Sequence, residues 1–244
     1  MTLAAPTHDR GVTMLTLDSP ANRNALSAGL VSGLADALDA CAADDTVRAV
    51  VLTHTGNTFC AGADLKAPAD PRAFVALMRR IVTLPKPVVA RVTGHVRAGG
   101  LGLLGACDIS VAGPDSSFAL TESRLGLAPA VISLPLLPRL DPRAASRYYL
   151  TGERFDAAEA ARAGLVTLAA EDVDKALVPV LDGLRRASPQ GLAASKELVT
   201  VTVLKTFDQY AEDLIARSAA LFASDEAREG MAAFLERRDP AWLL

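Results

Sequence analysis

Hydrophobic and polar residues follow two rhythms along this chain, and where the rhythm changes the architecture is expected to change. Val12 to Leu17 alternates apolar residues with Thr and reads as a strand, and Pro20 to Asn24 reads as a turn. Ser27 stands at a capping position ahead of Leu30, Leu34, Leu38 and Cys41, which recur at helical spacing. Asp44-Asp45 ends that helix, and Val47 to Thr53 reads as the next strand. Pro71 suits a first helical turn, with Phe74, Leu77, Met78 and Ile81 on one face. Pro85-Lys-Pro87 breaks the helix and delivers a strand from Val88 to Val92. A glycine-rich stretch then opens a short apolar helix to about Gly105, and Asp108 to Ala112 is again a strand. This alternation predicts an α/β chain with crossover connections.

Past Leu120 the pattern becomes helical. Helices are expected over 143–150, 156–162, 172–186, 190–204, 207–222 and 226–237, with one short strand at Leu165 to Leu168. Ser188-Pro189 and Ser224-Asp225-Glu226 are helix starts. The expected organisation is a core over 1–187 and a helical region over 188–244, without internal repeats or a low-complexity linker.

Composition removes several function classes. Half of the 244 residues are hydrophobic, and 25 basic against 28 acidic residues leave a net charge of −3. No basic run points to nucleic acid or to an anionic membrane. The uncharged stretch Leu125 to Pro138 carries three prolines and falls short of the ~18 apolar residues of a membrane span. The N-terminus lacks the pattern of a secretory signal, and Cys41, Cys60 and Cys107 show no paired spacing, so reduced thiols in a cytoplasmic protein are expected. No metal site is visible.

The chemistry concentrates in two landmarks, Thr58 to Lys66 and Gly94 to Gly102, each placing small residues directly after an apolar run. Glycine and alanine let a backbone approach another group closely, and a turn opening a helix leaves its first N–H groups unpaired. Two such turns facing one space would offer two amide donors to one oxygen, the outline of an oxyanion hole.

With these landmarks stand Arg23-Asn-Ala-Leu26, Phe59-Cys-Ala-Gly-Ala-Asp-Leu65, Pro85-Lys-Pro-Val88, the Gly94 to Asp108 stretch, Glu122-Ser-Arg-Leu-Gly126 with Pro129, Ser188-Pro189 with Lys196, and Glu229 to Arg237. In that order and spacing they resemble the crotonase superfamily, the enoyl-CoA hydratase/isomerase group. The resemblance implies a crotonase-like ββα spiral core with an α-helical C-terminal trimerisation region, assembling as a homotrimer or a dimer of trimers. It implies an acyl-CoA thioester substrate, with coenzyme A part of the substrate and no separate cofactor. By position, Ala63 and Gly99 become the oxyanion donors, and Asn24, Ala25, Ala61, Asp64 and Leu65 the edge that contacts coenzyme A. Glu122 takes the place of one catalytic glutamate. Gly102 stands where two-glutamate hydratases carry the other, so the chain departs from that pattern. The implied activity is hydration of a 2-enoyl-CoA with Glu122 as acid/base; the alternatives are a Δ3-Δ2 enoyl-CoA isomerase and a non-catalytic acyl-CoA-binding protein.

Other residues have plainer readings. Cys60 lacks an adjacent base and reads as buried filler, and Asp64 could serve a helix dipole as well as a ligand. His54 and His95 read as structural, although His95 could line an acyl pocket. Arg97 stands where the family often has an apolar residue; it could meet a carboxylated acyl tail, and it is expected to point to solvent. Gly100-Leu-Gly-Leu-Leu-Gly105 matches a dinucleotide fingerprint, but Thr93 to Gly99 separate it from the preceding strand, which argues against that use.

Overall fold

The computed structural model describes residues 2–64 and 69–243. Its strands form two sheets. The larger runs β1(Thr7–Asp9)–β2(Val12–Leu17)–β3(Ala49–His54)–β5(Val88–Val92)–β7(Ile109–Ala112)–β10(Leu168–Ala169), parallel throughout except for the β1–β2 hairpin. The smaller runs β4(Thr58–Cys60)–β6(His95–Arg97)–β8(Ser117–Ala119)–β9(Phe155–Asp156), with only β9 antiparallel to its neighbour.

Helix α1(Ala28–Ala43) joins β2 to β3. Thereafter each turn of chain lays one strand in the large sheet and one in the small sheet, then crosses back. β3 and β4 lead to α2(Pro71–Thr83), and β5 and β6 lead to α3(Gly99–Ala106). β7 and β8 lead to a 3₁₀ turn at Glu122–Leu125 and the short α4(Ser133–Leu136). The result is the expected ββα spiral, followed by α5(Pro142–Thr151), α6(Ala157–Arg162), α7(Val173–Arg186), α8(Pro189–Phe222) and α9(Asp225–Glu236).

The large sheet is covered on both faces, which explains the continuous apolar run of its strands. Val50, Leu52, Val88, Ala90 and Val92 join the main core with α1, α2 and α3. Val51, Val89 and Val111 point the other way and pack against Val173 and Leu177 of α7. Successive spiral turns are locked together at Gly94, where a Cβ would stand 2.4 Å from the Asn57 carbonyl oxygen. His95 N–H donates to that same oxygen at 2.9 Å.

Three expectations change. The small sheet was not foreseen as a sheet: its strands are two or three residues long, too short to display a period. The helices expected over 190–204 and 207–222 are one 34-residue helix, α8. No glycine or proline follows Gly191 in it, and Val203 and Phe207, one turn apart, continue one buried stripe across the supposed break. The strand expected at Leu165 to Leu168 shrinks to Leu168–Ala169. Leu165 and Val166 are buried by the preceding helix, whose Ala160 carbonyl accepts from both N–H groups. Residues 65–68, which would follow Asp64 in a helix, lie outside the described residues; the next described helix, α2, starts at Pro71 and is capped by the Asp70 carboxylate, which accepts from Arg72 N–H at 2.8 Å.

The helical tail is pinned to the spiral by a buried ion pair. Lys196 Nζ of α8 lies 2.7 Å from Asp108 Oδ2 and donates to the carbonyls of Ile81 and Lys86 at 2.8 and 3.1 Å. Removing one partner of such a pair strands a charge in the interior. Lys196→Met is expected to lower stability by ~3–5 kcal/mol in urea unfolding, and adding Asp108→Asn is expected to recover most of that loss.

Candidate active site

The two landmark turns meet back to back. Leu26 N–H donates to Gly62 O at 2.8 Å, and Asp64 N–H donates to Leu26 O at 3.3 Å, forming an isolated parallel bridge. In an extended segment, alternate residues direct their polar groups to opposite sides. Gly62 and Asp64 face Leu26, so the Ala63 N–H faces away from it. Gly99 is the first residue of α3, where N–H groups lack an intrahelical acceptor. Among the described residues neither the Ala63 nor the Gly99 N–H has a hydrogen-bond partner. Their backbones touch: a Cβ on Gly62 would lie 3.4 Å from Gly99 N and 2.9 Å from Ala98 Cβ.

Ala98 sets the direction of the second donor. Its φ of 46° and ψ of −121° place a residue with a side chain in a region suited to glycine, a strain of about 1–3 kcal/mol. Its N–H donates to Ala119 O at 3.2 Å, tying the turn to the end of β8.

Three residues beyond Ala119 stands Glu122, the first residue of the 3₁₀ turn. A span of three residues reaches at most ~11 Å, so the carboxyl belongs to the neighbourhood of the Ala98–Gly99 turn. The residue is partly buried, and its Oε2 is fully enclosed without a hydrogen-bond partner. That burial raises the carboxyl pKa from the ordinary 4.5 to about 7, where proton gain and loss are both accessible. The C-terminal helix braces the turn. A Cβ on Gly126, whose φ is +69°, would lie 2.6 Å from the Glu226 carbonyl carbon, and one on Gly230 would lie 2.6 Å from Leu125 O. The glycine of the Glu229 to Arg237 motif therefore lets α9 seat on the segment carrying Glu122.

Gly102 shows why no second carboxylate is present. A Cβ there would stand 2.6 Å from Ile132 Cγ2 and 2.9 Å from Met78 Sδ. Two apolar side chains occupy the volume another carboxylate would need. The dinucleotide-like glycines are packing positions as well: Gly100 and Gly105 lie buried inside α3, against Cys60 and Leu136.

The proposed coenzyme-contacting segments are neighbours. Ala61 N–H donates to Arg23 O at 3.0 Å, Asn22 Nδ2 donates to Asp64 Oδ2 at 3.2 Å, and Ala25 adjoins the Leu26–Ala63 bridge. Asn24, at 0% exposure, spends its side chain internally. Its Oδ1 accepts from Ser19 N–H at 2.7 Å, and its Nδ2 donates to Thr55 O and Thr58 O at 3.1 and 2.8 Å. Leu65 lies outside the described residues.

Arg97 corrects an expectation. It does not extend into solvent but folds onto the small sheet, donating to Val96 O, Ser117 O and Ser117 Oγ at 2.9, 2.6 and 2.8 Å. It shares the outer face of β6 with His95, whose Nδ1 lies 3.0 Å from Ser117 Oγ, while Val96 points into the core. Neither side chain faces the core side of β6. His54 is structural, its Nε2 accepting from Thr93 N–H at 3.2 Å. All three cysteines are buried and unpaired, and burial pushes the Cys60 thiol up to about 12, away from nucleophilic use. Among the described residues no cluster of metal-ligating side chains occurs, and no helix is long and apolar enough to cross a membrane.

Residues 7–243 match the enoyl-CoA hydratase/isomerase family. The chain belongs to that family. It is 58% identical to an enoyl-CoA hydratase from Mycobacterium avium, with a TM-score of 0.91 over 96% of this chain and 94% of the other. A carnitinyl-CoA hydratase from the same species superposes with a TM-score of 0.88 at 29% identity, covering 99% and 98% of the two chains. The 2,3-dehydroadipyl-CoA hydratase of Escherichia coli is 32% identical over 94% of each chain. Within this family frame the structure adds residues that sequence reading passed over. Ile132 and Met78 fill the Gly102 position, Ala98 carries the strain, and Tyr149 and Ser133 lie beside the Glu122 turn. Ile132 and Ser133 fall in a stretch notable in sequence only for lacking charge.

Two outcomes follow from this packing. Gly102→Ala is expected to destabilise the protein by ~1–3 kcal/mol through overpacking, and to cost less in an Ile132→Ala background, which lacks the Cγ2 that the added Cβ would meet, as read by thermal unfolding. The folded state holds the Glu122 proton more tightly than the unfolded chain does. The stability this contributes is complete below the unfolded pKa and lost as pH rises through about 7. Glu122→Gln is therefore expected to match the parent below pH ~4.5 and to exceed it by about 3 kcal/mol at pH ~8 in denaturant titrations.

Proposed function

We propose that this protein adds water across the 2,3 double bond of a 2-enoyl-CoA thioester. The observation that carries the reading is the Glu122 carboxyl. Its Oε2 is enclosed and lacks a hydrogen-bond partner, and the residue sits one short segment from two free N–H groups on touching backbones. The Ala63 and Gly99 N–H groups receive the thioester oxygen. As water adds at Cβ, the π electrons move onto Cα and that oxygen, and the two donors stabilise the enolate-like charge; one such donor is typically worth ~3–4 kcal/mol. Glu122, as carboxylate, takes a proton from the attacking water and returns it to Cα on the same face. One glutamate performs both transfers because Ile132 and Met78 fill the other position.

The backbone edge from Asn24 and Ala25 to Ala61 and Asp64 receives coenzyme A, chiefly through main-chain groups because the Asn24 side chain is already committed. The substrate class is supported by the acyl-CoA hydratases among the relatives. Assembly as a homotrimer or dimer of trimers accounts for the large apolar side chains left exposed on α8 and α9, among them Leu198, Val199, Phe234 and Leu235. The unpaired thiols suit a cytoplasmic setting.

A second reading shares this geometry. A single acid/base with an oxyanion hole can also carry a proton from Cα to Cγ, converting a 3-enoyl-CoA to its 2-enoyl isomer, and the filled Gly102 position suits that chemistry equally. Mass analysis of crotonyl-CoA and of a 3-enoyl-CoA after incubation separates the readings. Hydration predicts a gain of one water on crotonyl-CoA, abolished by Glu122→Gln, with kcat/KM rising tenfold per pH unit below about 7 and level above it. Rearrangement of the 3-enoyl substrate without hydration supports the isomerase. Thioester binding with neither reaction supports a binding protein and contradicts the proposal.

A further inference from the structure

A water held by Glu122 alone has an acceptor for only one of its hydrogens, so the lone pair that must attack Cβ is free to swing. The structure carries one more polar side chain on a segment fastened to the one that bears this carboxylate. Ser123 Oγ donates to Leu150 O at 3.3 Å, and Arg124 Nε donates to Thr151 O at 2.7 Å. These bonds fasten the 3₁₀ turn to the last turn of α5, residue by residue. Tyr149 and Glu122, the neighbours of the bonded Leu150 and Ser123, are thereby held on adjoining segments.

The Tyr149 hydroxyl has a defined polarity. Ser133 Oγ donates its one proton to Pro129 O at 2.6 Å, and it lies 3.2 Å from Tyr149 Oη. With the serine proton committed, the tyrosine donates to Ser133, and its oxygen lone pairs remain available as acceptors. Burial, with the Glu122 charge adding to it, pushes the phenol above its ordinary pKa, so it stays neutral while Glu122 titrates.

We propose that Tyr149 Oη is the second acceptor for the water that Glu122 deprotonates, in place of the carboxylate missing at Gly102. The proposal rests on the hydratase reading above. One O–H bond of the water breaks and its proton passes to Glu122, while the oxygen bonds to Cβ. The remaining hydrogen points at Tyr149 Oη throughout, and Tyr149 keeps its own proton. Glu122 then delivers its proton to Cα, closing a syn addition.

Two reactions of the full-length protein test this. Hydration of crotonyl-CoA needs the oriented water, whereas exchange of the Cα hydrogen of butyryl-CoA in deuterium oxide needs only Glu122 and the oxyanion donors. Tyr149→Phe is expected to lower kcat for hydration about tenfold or more, with KM and the exchange rate changed by less than about twofold. Ser133→Ala, which frees the tyrosine to rotate, is expected to act in the same direction with smaller size, and Ser133→Thr to preserve the parent rate. Hydration unchanged in Tyr149→Phe overturns the proposal. Equal loss of hydration and exchange also overturns it, because Tyr149 would then serve Glu122 or the fold rather than the water. A parent protein that hydrates no 2-enoyl-CoA overturns the hydratase reading itself, and that result is distinguishable because it is independent of either variant.

Discussion

The site depends on a contact between two backbones. The Gly62 turn, at the end of β4, lies against the Ala98–Gly99 turn at the end of β6, with an ideal Cβ on Gly62 only 2.9 Å from Ala98 Cβ. A side chain larger than hydrogen at Gly62 would wedge the turns apart and separate the Ala63 and Gly99 N–H groups. The small sheet exists to make this approach possible. β4 and β6 pair in parallel, so their C-terminal ends lie side by side and both turns leave from the same edge. The Leu26 bridge then fixes which way Ala63 faces, and the strained Ala98 fixes Gly99. Preorganised donors of this kind need little reorganisation when charge develops on the bound oxygen.

A second constraint governs Glu122, the proposed acid/base group. Glu122 follows β8, the next strand of the same small sheet, so the spiral repeats bring the carboxyl to the edge that holds the two donors. Its raised pKa comes from burial, with Oε2 left unpartnered, a destabilising arrangement that the surrounding packing must offset. That packing comes from far along the chain. α9 closes over the turn through Gly126 and Gly230, and α5 grips it through Ser123 and Arg124. The buried Lys196–Asp108 pair holds α8 to the spiral, and α9, which follows it, braces the Glu122 segment.

Legibility in sequence followed element length and burial. β2, β3, β5 and β7 and the helices α1 and α2 were readable because each has enough residues to show a period or a continuous apolar run. The strands of the small sheet were not, since three residues such as His95-Val-Arg97 carry no period, and their pairing is long-range. Arg97 was misread for the same reason: without the sheet, nothing indicated that Ser117 stood beside it to receive its guanidinium. The positions of Ala63, Gly99 and Glu122 came from the family resemblance, and in the structure all three follow strands of the small sheet at one edge. What fills the space at Gly102 was invisible, because Ile132 and Met78 reach it from elements distant in sequence. The continuity of α8 was obscured by Lys205 and Thr206, polar residues in mid-helix; Thr206 Oγ1 turns inward to Leu134 O at 2.6 Å and leaves the helix intact.

The most direct test of the account is a crystal structure of the Glu122→Gln protein with a bound 2-enoyl-CoA, in which turnover is blocked while the donors are unchanged. The account predicts the thioester oxygen about 2.7–3.1 Å from both Ala63 N and Gly99 N, with the Cβ of the double bond facing residue 122. A thioester carbonyl bound elsewhere, or held by only one of the two N–H groups, would contradict it.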